Sequence, residues 1–344
     1  MMDKRAVFNQ DLINRYDKTG PRYTSYPTAV QFNSSYGVRD YKNWAKDSNE
    51  DPIPAPLSIY IHVPFCNTIC YYCACNKIVT KDYAKAEAYI QLVKKEIALQ
   101  AELFDSNRKV MQMHWGGGTP SYLKNEHIKE VLDCVNQHFD LASDEEGEFA
   151  IEVDPRTVDA DRIKALRKLG FNRISFGVQD FNADVQEAIN RVHSKEDIIA
   201  VIQAARNSGF ESINIDLMYG LPLQTTDTFK DSILSTIEAS PDRIAVYNYA
   251  HMPDMFKPQR RIEESELPSP EDKLVMLQQT IELLQDADYV YIGMDHFAKK
   301  DDELVKAQDN GSLYRNFQGY STNAVCDVVA MGVTAIGRIG DNYS

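Results

Sequence analysis

The chain has 344 residues, 43% of them hydrophobic and 26% charged, enough to build one large domain or two ordinary ones around a core. A formal charge of −14 argues against a nucleic-acid partner, which would call for clustered Lys and Arg, and means that an anionic ligand needs a local basic patch. No apolar run reaches the ~18 residues of a membrane helix, and the opening "MMDKRAVFNQDLINRYDKTG" has no stretch of signal-peptide type, so a cytoplasmic protein with no membrane partner is expected.

Residues 1–50 read as an N-terminal arm, in which "TGPRYTSYPTA" (19–29) is dense in Tyr, Pro and Thr. From 51 to 300, β-rich runs alternate with helical patterns. Strands are predicted at 57–63, 110–117, 148–154, 173–179, 212–220, 243–250 and 289–297, several of them nearly continuous apolar runs of the kind covered on both faces. Ala86, Tyr89, Ile90, Val93, Ile97 and Ala101 recur at helical spacing, and similar patterns lie near 124–138, 159–169, 195–208, 226–238 and 271–286. Strand and helix repeated this often imply an α/β fold: a parallel (β/α) full or partial TIM-like barrel, with a doubly wound open sheet as the alternative. Residues 301–344 are then a barrel-completing segment.

"IHVPFCNTICYYCACNKIVT" (61–80) packs four of the six cysteines onto the loop after the first strand, at the end of the sheet where barrels place their chemistry. The isolated Cys134 and Cys326 read as small buried hydrophobes. A disulfide framework is unsuited to a reducing compartment, and structural zinc usually takes two separated ligand pairs, so the single knot favours an iron–sulfur cluster. Cys66, Cys70 and Cys73 form C-x3-C-x2-C: three thiolates hold three irons of a 4Fe–4S cubane and leave the fourth open to a ligand with lone pairs. "HWGGGTPSYL" (114–123) ends the second strand on three glycines, which lets backbone N–H and C=O groups approach a cofactor; taken alone it also suits a tight turn.

The cysteine spacing resembles that of the radical S-adenosylmethionine superfamily, in which the cofactor's amino and carboxylate groups chelate the open iron. The glycine turn is similar to the superfamily's cofactor-contacting motif. A closer resemblance lies in "SIYIHVPFC", "CNKIVT", "HWGGGTP", "IEVDPR", "FGVQDF", "NIDLMYGLP", "GMDHFA" and "RNFQGY", with "GPRYTSYPT" upstream. From about residue 10 to the end, these are similar to the oxygen-independent coproporphyrinogen III oxidases. Cys75, in C-x-C with Cys73, and the N-terminal arm separate that family from haem chaperones of the same fold.

The resemblance implies two molecules of S-adenosyl-L-methionine beside the cluster. The matching positions are Tyr60, Gly117, Glu152 and Ile336 for the first, and Tyr72, Gly118, Thr119, Gln179, Arg191, Asp216 and Ala250 for the second. Glu152 and Asp216 suit ribose hydroxyls or an ammonium, and Arg191 suits a carboxylate; singly, an Asp after a strand is as readily a helix cap, and Gln179 or Arg191 a partner for loop carbonyls. Candidate catalytic side chains are Cys75, His62 and Gln318. His62 reads equally as a satisfied core histidine or a proton handler, and Cys75 as a substrate-side thiol or a packed residue.

The implied reaction is oxidative decarboxylation of two propionates of coproporphyrinogen III to the vinyl groups of protoporphyrinogen IX, begun by a 5'-deoxyadenosyl radical. It requires a tetrapyrrole substrate, an electron donor and an electron acceptor, and a monomer is expected. Arg15, Lys18 and Arg22 make the arm either a lid over the tetracarboxylate or a cover for the barrel bottom. Oxidases of the family continue into a C-terminal helical domain, whereas this sequence stops at "IGDNYS", so part of the substrate enclosure is expected to be absent. A haem-binding or haem-transfer protein on the same fold is the second hypothesis.

Overall fold

Seven central strands are legible from alternation, and a computed structural model, which describes residues 5–16, 28, 31–316 and 319–344, shows how they pair. Strands β1 (Leu57–Val63), β2 (Lys109–Gly117), β3 (Glu148–Val153), β4 (Arg173–Gln179), β5 (Ser212–Tyr219) and β6 (Arg243–Asn248) are all parallel, each beside its predecessor. Helices α3 (Ala84–Ala101), α4 (Asn125–His138), α5 (Ala160–Lys168), α7 (Lys195–Asn207), α8 (Thr226–Ala239) and α9 (Pro270–Asp286) fall where the periodicity predicts. Among the described residues the sheet does not close on itself, so the architecture is a partial barrel.

Its two faces differ more than nearly continuous apolar strands would suggest. Outward positions are apolar and fully buried against the helices: Ile59 and Ile61 on β1, Trp115 on β2, Ile151 on β3, Phe176 on β4, Ile213 and Ile215 on β5. They meet the stripe of Ala86, Ile90, Val93 and Ile97 on α3 and Phe229 and Ile233 on α8. Each fully buried aliphatic or aromatic side chain contributes ~1.5–3 kcal/mol. The alternate, inward positions are polar. Gln112, His114, Glu148, Glu152, Arg173, Asn214, Asp216 and Arg243 line a chamber of about 170 Å³ in the barrel axis.

The predicted strand 289–297 is two strands. β7 (Tyr289–Gly293) and β8 (His296–Lys299) form a hairpin, with β8 antiparallel to both β7 and β6. Gly293 at φ 147° and Met294 at φ 49° reverse the chain, a turn that the alternation of side chains does not reveal. In the last segment, α10 (Glu303–Asn310) precedes β9 (Asp327–Met331), which pairs parallel with β1 on the side away from β2. β10 (Arg338–Ile339) and β11 (Asn342–Tyr343) then finish that edge.

The arm holds helices α1 (Gln10–Tyr16) and α2 (Val38–Asn49), and α6 (Ala183–Ala188) follows β4; none of these was predicted. Ala6 N–H donates to Gln285 Oε1 at 2.6 Å, and the end of α2 offers Ser48 Oγ and Asn49 Oδ1 to Arg108. Both contacts lie at the N-terminal end of the barrel, just ahead of β7 and β2. Arg15 is exposed; Lys18, Arg22 and Gln318 lie outside the described residues.

Arg108 Nη2 also donates to Asp327 Oδ2 at 2.6 Å, with both side chains nearly sealed from solvent, and so ties β9 to the start of β2. Removing one member of a buried pair leaves the other charge unpaired. Asp327→Ala is expected to lower stability to chemical denaturation by about 3–5 kcal/mol; a loss below about 1 kcal/mol would place this pair with exposed ones.

Candidate functional site

At the C-terminal ends of the strands a cavity of about 480 Å³ continues the axial chamber, with Glu152, Ser175, Asp216 and Tyr247 in the wall of both. The glycine turn after β2 forms one side. Gly117 has φ 114°, and a Cβ there would lie 2.7 Å from the His62 ring. At Gly118 a Cβ would lie 2.8 Å from the Pro64 backbone, and Gly118 N–H donates to Val63 O at 2.9 Å. The turn therefore rests directly on the segment that leads from β1 to the cysteines.

The cysteine loop is moored from several directions. Phe65–Cys66 pairs in parallel with Ile78–Val79, Asn190 Nδ2 donates to Ile69 O at 2.7 Å, and Gln259 Nε2 donates to Tyr72 O at 2.9 Å. Lys77 Nζ donates to the carbonyls of Cys73 and Cys75 at 3.1 and 3.2 Å. His62 is buried with both ring nitrogens paired: Tyr60 OH donates to Nδ1 and Nε2–H donates to Asn76 O, each at 3.2 Å. Burial lowers its pKa, and the ring lies against Gly117.

Cys66, Cys70, Cys73 and Cys75 all line the cavity. Cys66 Sγ lies 3.4 Å from Thr119 Oγ1, and burial pushes its thiol up to about 11. A hydrogen bond from Cys75, with the Lys77 ammonium nearby, pulls the Cys73 thiol down to about 6 against the effect of burial. Every cysteine is a free thiol, and Cys134 and Cys326 are buried as expected. Among the described residues no three His, Cys, Asp or Glu side chains converge on a point that could hold a single ion. Three thiols at the spacing of Cys66, Cys70 and Cys73 on one wall are a donor set suited to a 4Fe–4S cluster.

Tyr72, Gly117, Gly118, Thr119, Glu152, Gln179, Arg191 and Asp216 share that wall. Gln179 sits at φ 73°, where a bulge shifts the β4–β5 register. Glu152 Oε1 accepts from His114 Nε2 at 2.9 Å. Asp216 accepts from Asn214 Nδ2 at 2.8 Å and Ser175 Oγ at 3.1 Å; burial, and then the Glu152 charge, push its carboxyl up to about 6. Arg191 is buried, with Nε donating to Gly177 O at 2.9 Å. Tyr60 stacks on His114 behind the wall, while Ala250 after β6 and Ile336 after β9 lie on loops at the same rim, outside the wall.

Sequence reasoning missed Asp154 and Arg156 after β3, and Lys77. Asp154 is buried and accepts from Arg156 Nη2 at 2.7 Å and Arg191 Nη1 at 3.1 Å. The signal was present in "IEVDPR": a carboxylate and a guanidinium at a strand's end, facing the cysteine loop.

A model of the radical SAM superfamily matches residues 60–235. The oxygen-independent coproporphyrinogen III oxidase of Pseudomonas aeruginosa is 49% identical over 98% of this chain and 73% of its own length. That of Escherichia coli K12 is 47% identical over 97% of this chain and 71% of its own. The chain belongs to this oxidase family. The solved structure of the Escherichia coli family member, HemN, described as a radical SAM enzyme, superposes with a TM-score of 0.92 at 45% identity, covering 99% of this chain and 75% of that one. The chain thus spans about three quarters of the length of these oxidases.

Gly117→Ala is expected to destabilise the protein by at least ~1–2 kcal/mol, because an L side chain at that φ is strained and its Cβ strikes His62. An unchanged melting temperature would show that the turn can relax.

Proposed function

We propose that this chain carries out the reaction of its family: oxidative decarboxylation of two propionates of coproporphyrinogen III to the vinyl groups of protoporphyrinogen IX, in haem biosynthesis. The observation that carries this reading is the joining, in one cavity of a chain 49% identical to such an oxidase, of three thiols, a glycine turn and a set of strand-end carboxylates. Bound there, a 4Fe–4S cluster and S-adenosylmethionine supply one-electron, hydrogen-abstracting chemistry.

Cys66, Cys70 and Cys73 would hold the cluster, and Cys75 would stay free of iron. Gly117, Glu152, Tyr60 and Ile336 would serve one S-adenosylmethionine. Tyr72, Gly118, Thr119, Gln179, Arg191, Asp216 and Ala250 would serve the second. Two features support binding of such a ligand: the glycines leave backbone exposed, and one wall holds carboxylates at Glu152 and Asp216 together with a guanidinium at Arg191, matching a ligand that carries both a cation and a carboxylate. His62 would keep the loop in place, and Gln318 and Cys75 remain candidates for the substrate side. Each propionate loses CO2, a hydrogen atom and one electron, so an acceptor for that electron must reach the site. A cytoplasmic monomer is part of this proposal, and no helix of the described residues is long and apolar enough to cross a membrane.

Anaerobic incubation with coproporphyrinogen III, reductant and S-adenosylmethionine should yield vinyl products. Cys66→Ser, Cys70→Ser or Cys73→Ser should abolish both iron binding and activity, while Cys75→Ser should keep about four irons. Stoichiometric zinc in the anaerobically purified protein would overturn this assignment.

The Asp216 carboxyl gives a pH signature. With its pKa raised to about 6, it is ionised only above that pH, so affinity for the sulfonium cation at the second site should weaken as pH falls through 6. Asp216→Asn should bind more weakly, with a flat profile across the same window. In the ligand-free protein the sign reverses: stability from the neutral carboxyl is present below the ordinary Asp value of 3.8 and is lost as pH rises through about 6. Titration calorimetry across that window checks the first effect and thermal melting the second.

A further inference from the structure

Two arginines, Arg156 just after β3 and Arg191 on the loop after α6, converge on one cysteine sulfur. Arg156 Nη2 donates to Cys70 Sγ at 3.5 Å and Arg191 Nη1 donates to the same sulfur at 3.4 Å. Between them lies Asp154, only 8% exposed, whose Oδ2 accepts from both guanidiniums. Asp154 is itself fixed as the cap of the short turn at Pro155–Thr157, where it accepts from Arg156 N–H at 3.1 Å. Arg156 is further anchored by Nη1 donating at 3.3 Å to the carbonyl of Asn190, the same residue whose side chain moors Ile69. Cys66, by contrast, meets a neutral hydroxyl.

We propose that Asp154 and Arg156 are positioning residues that, with Arg191, clamp the Cys70 thiolate between two charged N–H donors and thereby raise the reduction potential of the bound cluster. The inference rests on Cys70 being a cluster ligand. Two guanidiniums and one carboxylate leave one net positive charge against a thiolate in a recessed wall, where water screens little. Hydrogen bonds to sulfur and neighbouring charge are the protein's principal controls over cluster potential. A cation beside the sulfur favours the reduced cluster, which carries the extra electron. Arginine suits the task because its planar fork can serve the carboxylate and the sulfur together, which an ammonium cannot do with fixed geometry. Asp154 offsets the repulsion that would otherwise push the two guanidiniums apart. Arg156 is the residue to test, since Arg191 is also assigned to the second S-adenosylmethionine.

The test uses the whole chain, reconstituted anaerobically, as wild type, Arg156→Lys and Arg156→Met. Iron and sulfide content, melting of the iron-free protein, and the cluster's midpoint potential by spin-resonance titration are measured. With iron retained, Arg156→Met should lower the reduction equilibrium about tenfold, which for one electron is about 59 mV, and Arg156→Lys should lower it less. An unchanged midpoint in both iron-loaded variants overturns the proposal. Should the variants lose iron, an iron-free protein that melts as wild type supports the clamp, because the loss is then confined to the ligand. A lowered melting temperature in that case assigns Arg156 a merely structural role and overturns it. Wild-type protein without iron would refute the cluster assignment itself, which keeps the two failures apart.

Discussion

Alternation along six parallel strands governs the rest of the molecule. Because successive side chains point to opposite faces, the register that buries Trp115, Ile151, Phe176 and Ile215 under the helices also turns His114, Glu152, Ser175 and Asp216 into the barrel axis. Slipping β3 or β5 by one residue would move a carboxylate into the helix interface and an isoleucine into the axis, at a cost in burial on one side and desolvation on the other. The apolar packing that stabilises the fold is therefore the same constraint that lines up the polar groups of the site.

At the mouth of the barrel, backbone takes over from side chains. Gly118 lies on Pro64, Gly117 on His62, and Gly116 on the Glu152 carboxylate, where a Cβ would be 2.9 Å from Oε1. Three consecutive positions without a side chain bring β2's turn, β1's exit and β3's acid into contact, so that the cysteine loop starts from a fixed platform. The remaining restraints on that loop come from far along the chain: Asn190, Gln259 and Thr334 each hold one of its segments. A loop tied at this many points holds its thiols in the wall of one cavity.

This division explains what could be read from the sequence. The parallel repeat, the cysteine loop's place after β1 and the glycine turn were legible because each is a local pattern of period or spacing. The hairpin of β7 and β8 was hidden in an apparently continuous run, since Gly293 and Met294 reverse the chain without interrupting its apolar character. β9 beside β1 was hidden for a different reason: a parallel neighbour supplied from 270 residues away leaves no local mark, and the sealed Arg108–Asp327 pair that secures it joins two positions unremarkable in isolation. Arg156 and Asp154 belong to the same class. Their partners Cys70 and Arg191 are separated from them by 86 and 37 residues, so only the folded sheet shows that they meet.

The charge distribution completes the physical picture. A chain of net charge −14 repels anions at long range, yet its site keeps two guanidiniums, Arg156 and Arg191, in the cavity wall. They remain there because Asp154 compensates part of their charge locally, a paired arrangement far less costly than isolated buried cations. In the same wall Glu152 and Asp216 carry the opposite sign, and burial together with the Glu152 charge keeps Asp216 only weakly acidic. A ligand that carries both a cation and a carboxylate can offset charge of either sign in that wall. Mixed charge therefore favours a zwitterionic ligand over a simple anion, and partners for both of its signs would hold it in one orientation, on which the removal of one particular hydrogen depends.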